Sequence, residues 1–244
     1  MKITFLGTSH GLVEKGRNRT STMVEIGDSI YLIDVGAPVY EILLNMGVSL
    51  DKIKAVFTTH AHGDHVLGLL PLLEIANWSS NTINFEVYLT DQKLKSAITD
   101  TLEVVCDKNL DSDRLRLKVY DENTIYDDGD LKVVFAKNCH YAGGKPSYSL
   151  TLFAEGKSVV FSGDLSGHLS MGDFPKLPKD CDLLVLELAH IGLEDIKPYL
   201  ENADLKEICF NHVFPQSKFN EIEKLKGTYP FKVSAPKDLD EIIL

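Results

Sequence analysis

Hydrophobic positions along the chain fall into short runs that change period. The stretches "KITFLG" at 2–7 and "TMVEIGDSIYLIDVG" at 22–36 read as strands, the latter two joined by a Gly-Asp turn. "PVYEILLNMG" at 38–47 reads as a helix closed by Gly47. "IKAVFTTH" at 53–60 is a continuous apolar strand that runs into a polar cluster, and "HVLGLLPLLEIANW" at 65–78 places Val66, Leu69, Leu70 and Leu73 on one helical face. A strand at "FEVYLT", a helix over about 91–105 and strands near 115–120 and 131–138 follow. "SYSLTLFAEGKSVVFSGD" reads as a hairpin turning at Glu-Gly-Lys; then come "DLLVLELAH", a helix near 193–201, "LKEICFNHV" and a helix near 216–226. Strands and helices alternate in two halves of similar make-up, which predicts an α/β layered protein.

Four of the predicted strands run out at a potential ligand: 53–58 toward His60, 131–138 toward His140, 158–162 toward Asp164 and 206–210 toward His212. Strand ends along one edge of a layered fold are where a rigid scaffold presents chemistry. Between them, "THAHGDH" at 59–65 concentrates three of the chain's eight histidines in seven positions. His60 and His62 lie two apart on extended chain and point the same way. Gly63 permits a sharp turn, and Asp64 and His65 then open the next helix facing elsewhere. One segment thus feeds two ions: His60 and His62 one, Asp64 and His65 the other. His140 completes the first set, His212 the second, and Asp164, an acceptor-only carboxylate when ionised, bridges them. Imidazole and carboxylate suit zinc first, with manganese or iron as alternatives, so two divalent ions are expected.

Composition narrows the function classes. The 244 residues are enough for one substantial core, so a single domain over 1–244 is expected. A net charge of -11 opposes long-range attraction to nucleic acid or an anionic membrane. Cys106, Cys139, Cys181 and Cys209 are widely spaced without a CxxC and read as reduced, buried thiols. No apolar run is long enough to span a bilayer and the N-terminal run is too short for a signal h-region, so a cytoplasmic location with no membrane partner is expected.

The ordered set "THAHGDH", "NCH" at 138–140, "SGD" at 162–164 and "FNH" at 210–212 resembles the metallo-β-lactamase superfamily over the whole chain. That resemblance implies an αββα four-layer sandwich with the metals at one sheet edge. "FLGTSHG", "KGRNRTSTMVEI" and "YLIDVG" are similar to the ribonuclease Z-like branch, which would make Asp34 a residue that buttresses the histidine loop. The branch implies a phosphodiesterase acting through a metal-bridging hydroxide on a small phosphodiester, a nucleotide-like molecule or a nucleic-acid end. Related folds often pair, so a homodimer is carried as an expectation. Departures bear on the substrate. Only 24 positions separate His140 from Asp164, leaving no room for the arm with which ribonuclease Z proteins grip tRNA; Leu165 stands where the branch has Thr, and "ELAH" replaces Glu-Ala-Thr. Intact tRNA is therefore the less favoured substrate.

Outside the seven ligands, Asp64 is expected also to accept the water's proton. His190 is expected to protonate the leaving group with Glu187 orienting it, against a bland reading in which Glu187 ends a strand and His190 merely caps it. Arg17 and Asn18 are expected to bind the substrate phosphate, Lys15 and Arg19 less so. His10 and His168 lie near expected active-site loops but read as structural or exposed, as lone histidines usually do; Cys139 reads as core, and Tyr141 and Tyr148 as packing aromatics before pocket-lining ones. Competing functions are a lactone, thioester or β-lactam hydrolase of the same fold, a metal-bound sensor without catalysis, and a mononuclear iron oxygenase, which the second ligand pair disfavours.

Overall fold

The computed structural model describes residues 1–79, 81–106, 108–141, 143–167, 169 and 173–244. The first half contributes β1 (Lys2–Gly7), β2 (Ser21–Ile26), β3 (Ser29–Val35), α1 (Val39–Asn45), β4 (Ile53–Phe57), α2 (Gly63–Val66), α3 (Leu69–Trp78), β5 (Phe85–Leu89), α4 (Gln92–Val105) and β6 (Leu115–Val119). The second contributes β7 (Ile125–Asp127), β8 (Lys132–Lys137), β9 (Tyr148–Ala154), β10 (Lys157–Phe161), β11 (Leu183–Leu188), α5 (Leu193–Leu200), β12 (Glu207–Val213), α6 (Lys218–Leu225) and β13 (Lys232–Ser234). The last strand, β14 (Glu241–Ile243), returns to pair with β1, so the sheets run β14-β1-β2-β3-β4-β5-β6 and β13-β12-β11-β10-β9-β8-β7.

Both faces of the central strands are buried, which is why they read as apolar runs rather than strict alternation. Ile3, Val24, Tyr31, Ile33 and Phe57 of the first sheet meet Val133, Phe135, Leu150, Leu152 and Val159 of the second in one core between the sheets. The opposite face of the first sheet (Met23, Leu32, Val56, Val87) packs on Leu43, Leu69, Leu73 and Leu102 of α1, α3 and α4. The outer face of the second sheet (Val160, Leu184, Leu186, Phe210) packs on Ile196 of α5 and Ile222 of α6. Layers of helix, sheet, sheet and helix result, the expected αββα sandwich.

Three details differ from the sequence expectation. The helix over 65–78 is two helices, because the chain breaks at Leu67 and Gly68, where the Gly68 N–H donates to the Val35 carbonyl at 2.8 Å. A Cβ on Gly68 would lie 2.6 Å from that oxygen, so only glycine permits this approach. The strand at 206–210 extends to Val213, placing His212 inside it. The three-residue edge strands β7, β13 and β14 are too short to carry a period.

Candidate metal centre

The loop after β4 is fixed by its neighbours. Tyr120 Oη donates to the Thr58 carbonyl at 2.6 Å, and the Thr59 N–H donates to Asp34 Oδ1 at 2.7 Å. Asp34 holds φ = 54° at the end of β3, an uncommon conformation that aims its carboxylate at three donors: the Thr59 N–H, the Thr59 hydroxyl (2.9 Å) and His65 Nδ1 (2.8 Å). His62 stands at the N-terminus of α2, with Asp64 and His65 in its first turn. Gly63 keeps a negative φ, and a Cβ there would meet only the tip of Leu67, so the turn does not depend on glycine as its position suggested. Gly11 is different: a Cβ would lie 3.1 Å from Asp64 Oδ2, so its absence lets the 8–17 segment close against the site.

The second sheet brings the remaining groups to the same edge. Gly163 (φ = 58°) turns Asp164 inward, and a side chain at 163 would strike the Tyr148 carbonyl at 2.5 Å. β11 and β12 shift register between Glu187 and Leu188, which pairs with Val213, and His212 takes φ = 52° there. This bulge re-aims the His212 side chain toward the cluster. Asn138 donates to the Ser162 and Asp164 carbonyls at 3.2 and 3.0 Å, and Asp173 accepts from the Cys139 and Ser166 N–H groups at 2.6 Å each.

All seven expected ligands converge. Ligand atoms of His60, His62, His140 and Asp164 lie within 4.8 Å of one another, as do those of Asp64, His65 and His212 and those of Asp164, His190 and His212. Asp164 faces both sets: Oδ2 is 3.5 Å from His60 Nε2 and 3.4 Å from His212 Nε2, and Oδ1 is 3.4 Å from His65 Nε2.

The proton inventory tests whether these residues suit a cation. His140 Nδ1 lies 3.2 Å from the Leu165 carbonyl and His65 Nδ1 2.8 Å from Asp34, so both Nδ1 atoms donate and both Nε2 atoms carry lone pairs. The Thr59 hydroxyl donates to Asp34 and so accepts from His60 Nδ1 at 3.0 Å, which leaves His60 Nε2 a lone pair as well. His62 Nδ1 therefore faces two acceptors, His60 Nε2 at 3.0 Å and His140 Nε2 at 3.1 Å, with at most one hydrogen to offer. Among the described residues, His65 Nε2 and both ring nitrogens of His212 are buried without a hydrogen-bond partner. Imidazole nitrogens and carboxylate oxygens turned on one another around the buried His60, His65, Asp164 and His212, with the exposed His62 beside them, suit a cation between them, and histidines anchored through the other nitrogen are the usual form of a metal ligand. The residues fit divalent ions.

Electrostatics agree with that fit. Burial and the neighbouring His65 hold His60 well below the usual imidazole range, so it is neutral. Burial opposes charge on Asp164, yet His212, His65 and His60 outweigh it and keep the carboxyl well below its ordinary value. At His65 burial is likewise outweighed, by Asp164 and Asp34, whose negative charge raises the ring above the ordinary imidazole value and marks the site as one that attracts a cation.

Around the ligands, Glu187 accepts from the Leu165, Ala189 and His190 N–H groups at 3.0, 2.6 and 2.9 Å, and its Oε1 lies 3.3 Å from His190 Nδ1. It thus ties the loop that bears Asp164 to His190. His190 Nδ1 is also 3.6 Å from Asp164 Oδ2; burial opposes its charge, but Glu187 and Asp164 raise it above the ordinary imidazole value.

Arg17 and Asn18 are placed elsewhere. The Arg17 guanidinium is only 8% exposed and spans Glu14 Oε2 (2.8 Å), the Val213 carbonyl (2.9 Å), Thr8 Oγ1 (3.3 Å) and the Thr8 carbonyl, with its carbon over the Phe219 ring. The Asn18 amide nitrogen Nδ2 reaches the Leu6 carbonyl at 3.4 Å. These side chains brace the 8–18 segment against β12 instead of turning toward the ligands. Cys139, expected in the core, is exposed, whereas Cys106, Cys181 and Cys209 are buried thiols. Tyr141 packs its ring 4.7 Å from that of His62. His168 lies outside the described residues. His10, by contrast, sits 5.2 Å from His212 and 5.4 Å from His190, ring to ring; no spacing signal marked it, because its partners are some two hundred positions away in sequence.

Known proteins share this architecture. YhfI of Bacillus subtilis, a metallo-β-lactamase fold protein, superposes with a TM-score of 0.79 at 19% identity, covering 99% of both chains. The short form of human tRNase Z superposes at 0.73 and 20% identity over 100% of this chain and 99% of that one. Both establish the metallo-β-lactamase fold. A ribonuclease Z of Prochlorococcus marinus subsp. pastoris is 37% identical over 105 residues, 42% of this chain and 33% of that protein, so the match spans about a third of that relative's length. The family described as Anti-Pycsar protein Apyc1 matches residues 1–220. With that match over most of its length, the chain belongs to the Anti-Pycsar protein Apyc1 family, and it carries the metallo-β-lactamase fold.

Proposed function

We propose that this chain is a divalent-metal-dependent hydrolase that binds two ions and cleaves a small phosphodiester. The observation that carries the reading is the set of imidazole nitrogens and carboxylate oxygens turned on one another in a largely buried cluster, together with the shared position of Asp164 between two ligand sets. His60, His62 and His140 would hold one ion, Asp64, His65 and His212 the other, and Asp164 both. Bound there, the ions would supply Lewis acidity, which activates water at neutral pH and neutralises charge on phosphoryl oxygens. The chain's own groups do the rest. Asp64, 13% exposed at the side chain, accepts the proton released by the nucleophile. His190, 29% exposed and raised in pKa, donates a proton to the leaving oxygen, and Glu187 holds its backbone N–H with a carboxylate oxygen 3.3 Å from Nδ1. The names of the curated relatives, ribonuclease Z, favour a phosphodiester. The net charge of -11 and the short interval between His140 and Asp164 favour a small one, such as a cyclic nucleotide, over tRNA.

One observation favours a second reading. Arg17 is occupied elsewhere, and the exposed apolar residues Leu12 (66%), Val13 (48%) and Leu67 (50%) flank the segments that carry Gly11 and Asp64. Apolar side chains beside the site would suit a lactone or thioester. Elemental analysis of the purified protein, with hydrolysis of bis-p-nitrophenyl phosphate, a cyclic nucleotide, an acyl lactone and a thioester on the same sample, separates the two. The expected result is about two metals per chain and phosphodiester cleavage that is lost in His62→Ala. Lactone or thioester turnover without diester cleavage would select the second reading, and less than one metal per chain would sink both.

A further inference from the structure

His10 is an imidazole at the metal centre that neither the ligand sets nor the proton transfers use. Its surroundings hold it in place. The nearby Thr8 donates twice to Asp238, through N–H at 2.9 Å and hydroxyl at 2.7 Å, and Arg17 donates to the Thr8 carbonyl. The Ser9 N–H donates to the Asn18 carbonyl at 2.8 Å, and the following Gly11 abuts Asp64. The ring itself lies nearly parallel to Phe214, centroids 4.9 Å apart at 24°, and edge-on to His212 and His190.

The hydrogen bonding fixes its chemistry. The Leu12 N–H donates to His10 Nδ1 at 3.2 Å, so Nδ1 is an acceptor, the ring is neutral and its hydrogen resides on Nε2. Nε2 has no partner among the described residues, yet it is not sealed from solvent as the orphaned nitrogens of His65 and His212 are. His10 also stands outside all three groups of converging ligand atoms. A preorganised neutral N–H donor therefore sits beside the metal centre, next to His190 and His212, without being part of the metal's coordination set.

We infer that His10 is a substrate-binding residue of this site, and that its Nε2–H donates a hydrogen bond to a non-bridging oxygen of the phosphoryl group. This rests on the phosphodiesterase reading. The donor supplies, without charge, the anion recognition that Arg17 is too far committed to provide. Fixed donors aimed at developing negative charge contribute to rate as well as affinity.

Two amide substitutions separate this role from a merely structural one. Asparagine matches Nδ1 in position and can accept the Leu12 N–H, but cannot reach where Nε2 lies. Glutamine places an amide N–H near Nε2. With bis-p-nitrophenyl phosphate and the metal-loaded protein, His10→Ala and His10→Asn should lower kcat/KM roughly ten- to a hundredfold, and His10→Gln should recover most of the loss. Competitive inhibition by inorganic phosphate should weaken in parallel, while metal content and Tm stay at wild-type values. Recovery by asparagine and not by glutamine would show that His10 only anchors the loop and would overturn the inference. So would wild-type kinetics in all three variants, or loss of metal in His10→Ala. Wild-type protein that cleaves no phosphodiester would remove the function reading itself, a result visible before any variant is made.

Discussion

Asp34 shows how a single carboxylate determines what a histidine can bind. It takes three hydrogen bonds in a left-handed conformation, and one of them leaves His65 Nε2 with a lone pair facing Asp64 and Asp164. An asparagine in its place would tolerate the same φ but must turn an NH2 toward either Thr59 or His65. If it faces His65, the ring hydrogen moves to Nε2 and closes that nitrogen to metal. Asp34→Asn should therefore weaken the Asp64–His65–His212 ligand set about 10- to 100-fold, read by competition with a chromophoric chelator, while the other set changes less. Unchanged affinity at both sets would show that Asp34 serves folding alone. Residues of this kind differ in how readable they are. The seven ligands stood out because four of them share one short segment and the others end strands. His10 and the bracing role of Arg17 did not. A lone histidine has no spacing signal, and the carbonyl of Val213 that holds Arg17 lies 196 positions away. The Arg-Asn pair was legible as a motif but not as a brace.

At the level of elements, periodicity located the long strands and helices to within a residue or two, because each buries a full face. It failed where tertiary contacts break the period: at Gly68, where β3 presses on the helix, and at His212, where a bulge carries a ligand inside a strand. The three-residue edge strands left no pattern. The parallel strands β10, β11 and β12 are held together at their N-terminal ends by Asp182, which accepts from the Ser158 N–H (3.0 Å), Lys206 Nζ (2.8 Å) and Lys157 Nζ (3.4 Å). Burial alone would raise its carboxyl, but these donors hold it below the usual carboxylate range. A depressed folded pKa means stability that is present above the unfolded value of about 3.9 and is lost as pH falls through the folded value. Asp182→Asn should thus destabilise the protein by roughly 1 kcal/mol at pH 7 in urea unfolding. The gap between variant and wild type should close as pH drops below about 4, and a gap that stays constant with pH would contradict the assignment.

The whole molecule places the metal centre where its two sheets meet. The first sheet supplies His60, His62, Asp64 and His65 through the loop after β4, and the second supplies His140, Asp164 and His212, so any ion held by either ligand set joins the two. In the unfolded chain those groups are dispersed, since His65 and His212 lie 147 positions apart. An ion that binds only the folded state stabilises it by mass action, about 2.7 kcal/mol when the free ion stands at a hundred times its dissociation constant. For a chain of this size that corresponds to a rise in Tm of roughly 5–10 °C. Chelation should therefore lower Tm by an amount of that order, and returning the ion should restore it. Variants at the ligands test the origin of the effect. His62→Ala and His140→Ala should each abolish part of the metal-dependent increment while costing the chelated protein much less, because His62 is exposed and His140 only half-buried. If chelation leaves Tm unchanged in protein known to have carried metal, the ions lie at the surface of one sheet instead of joining two.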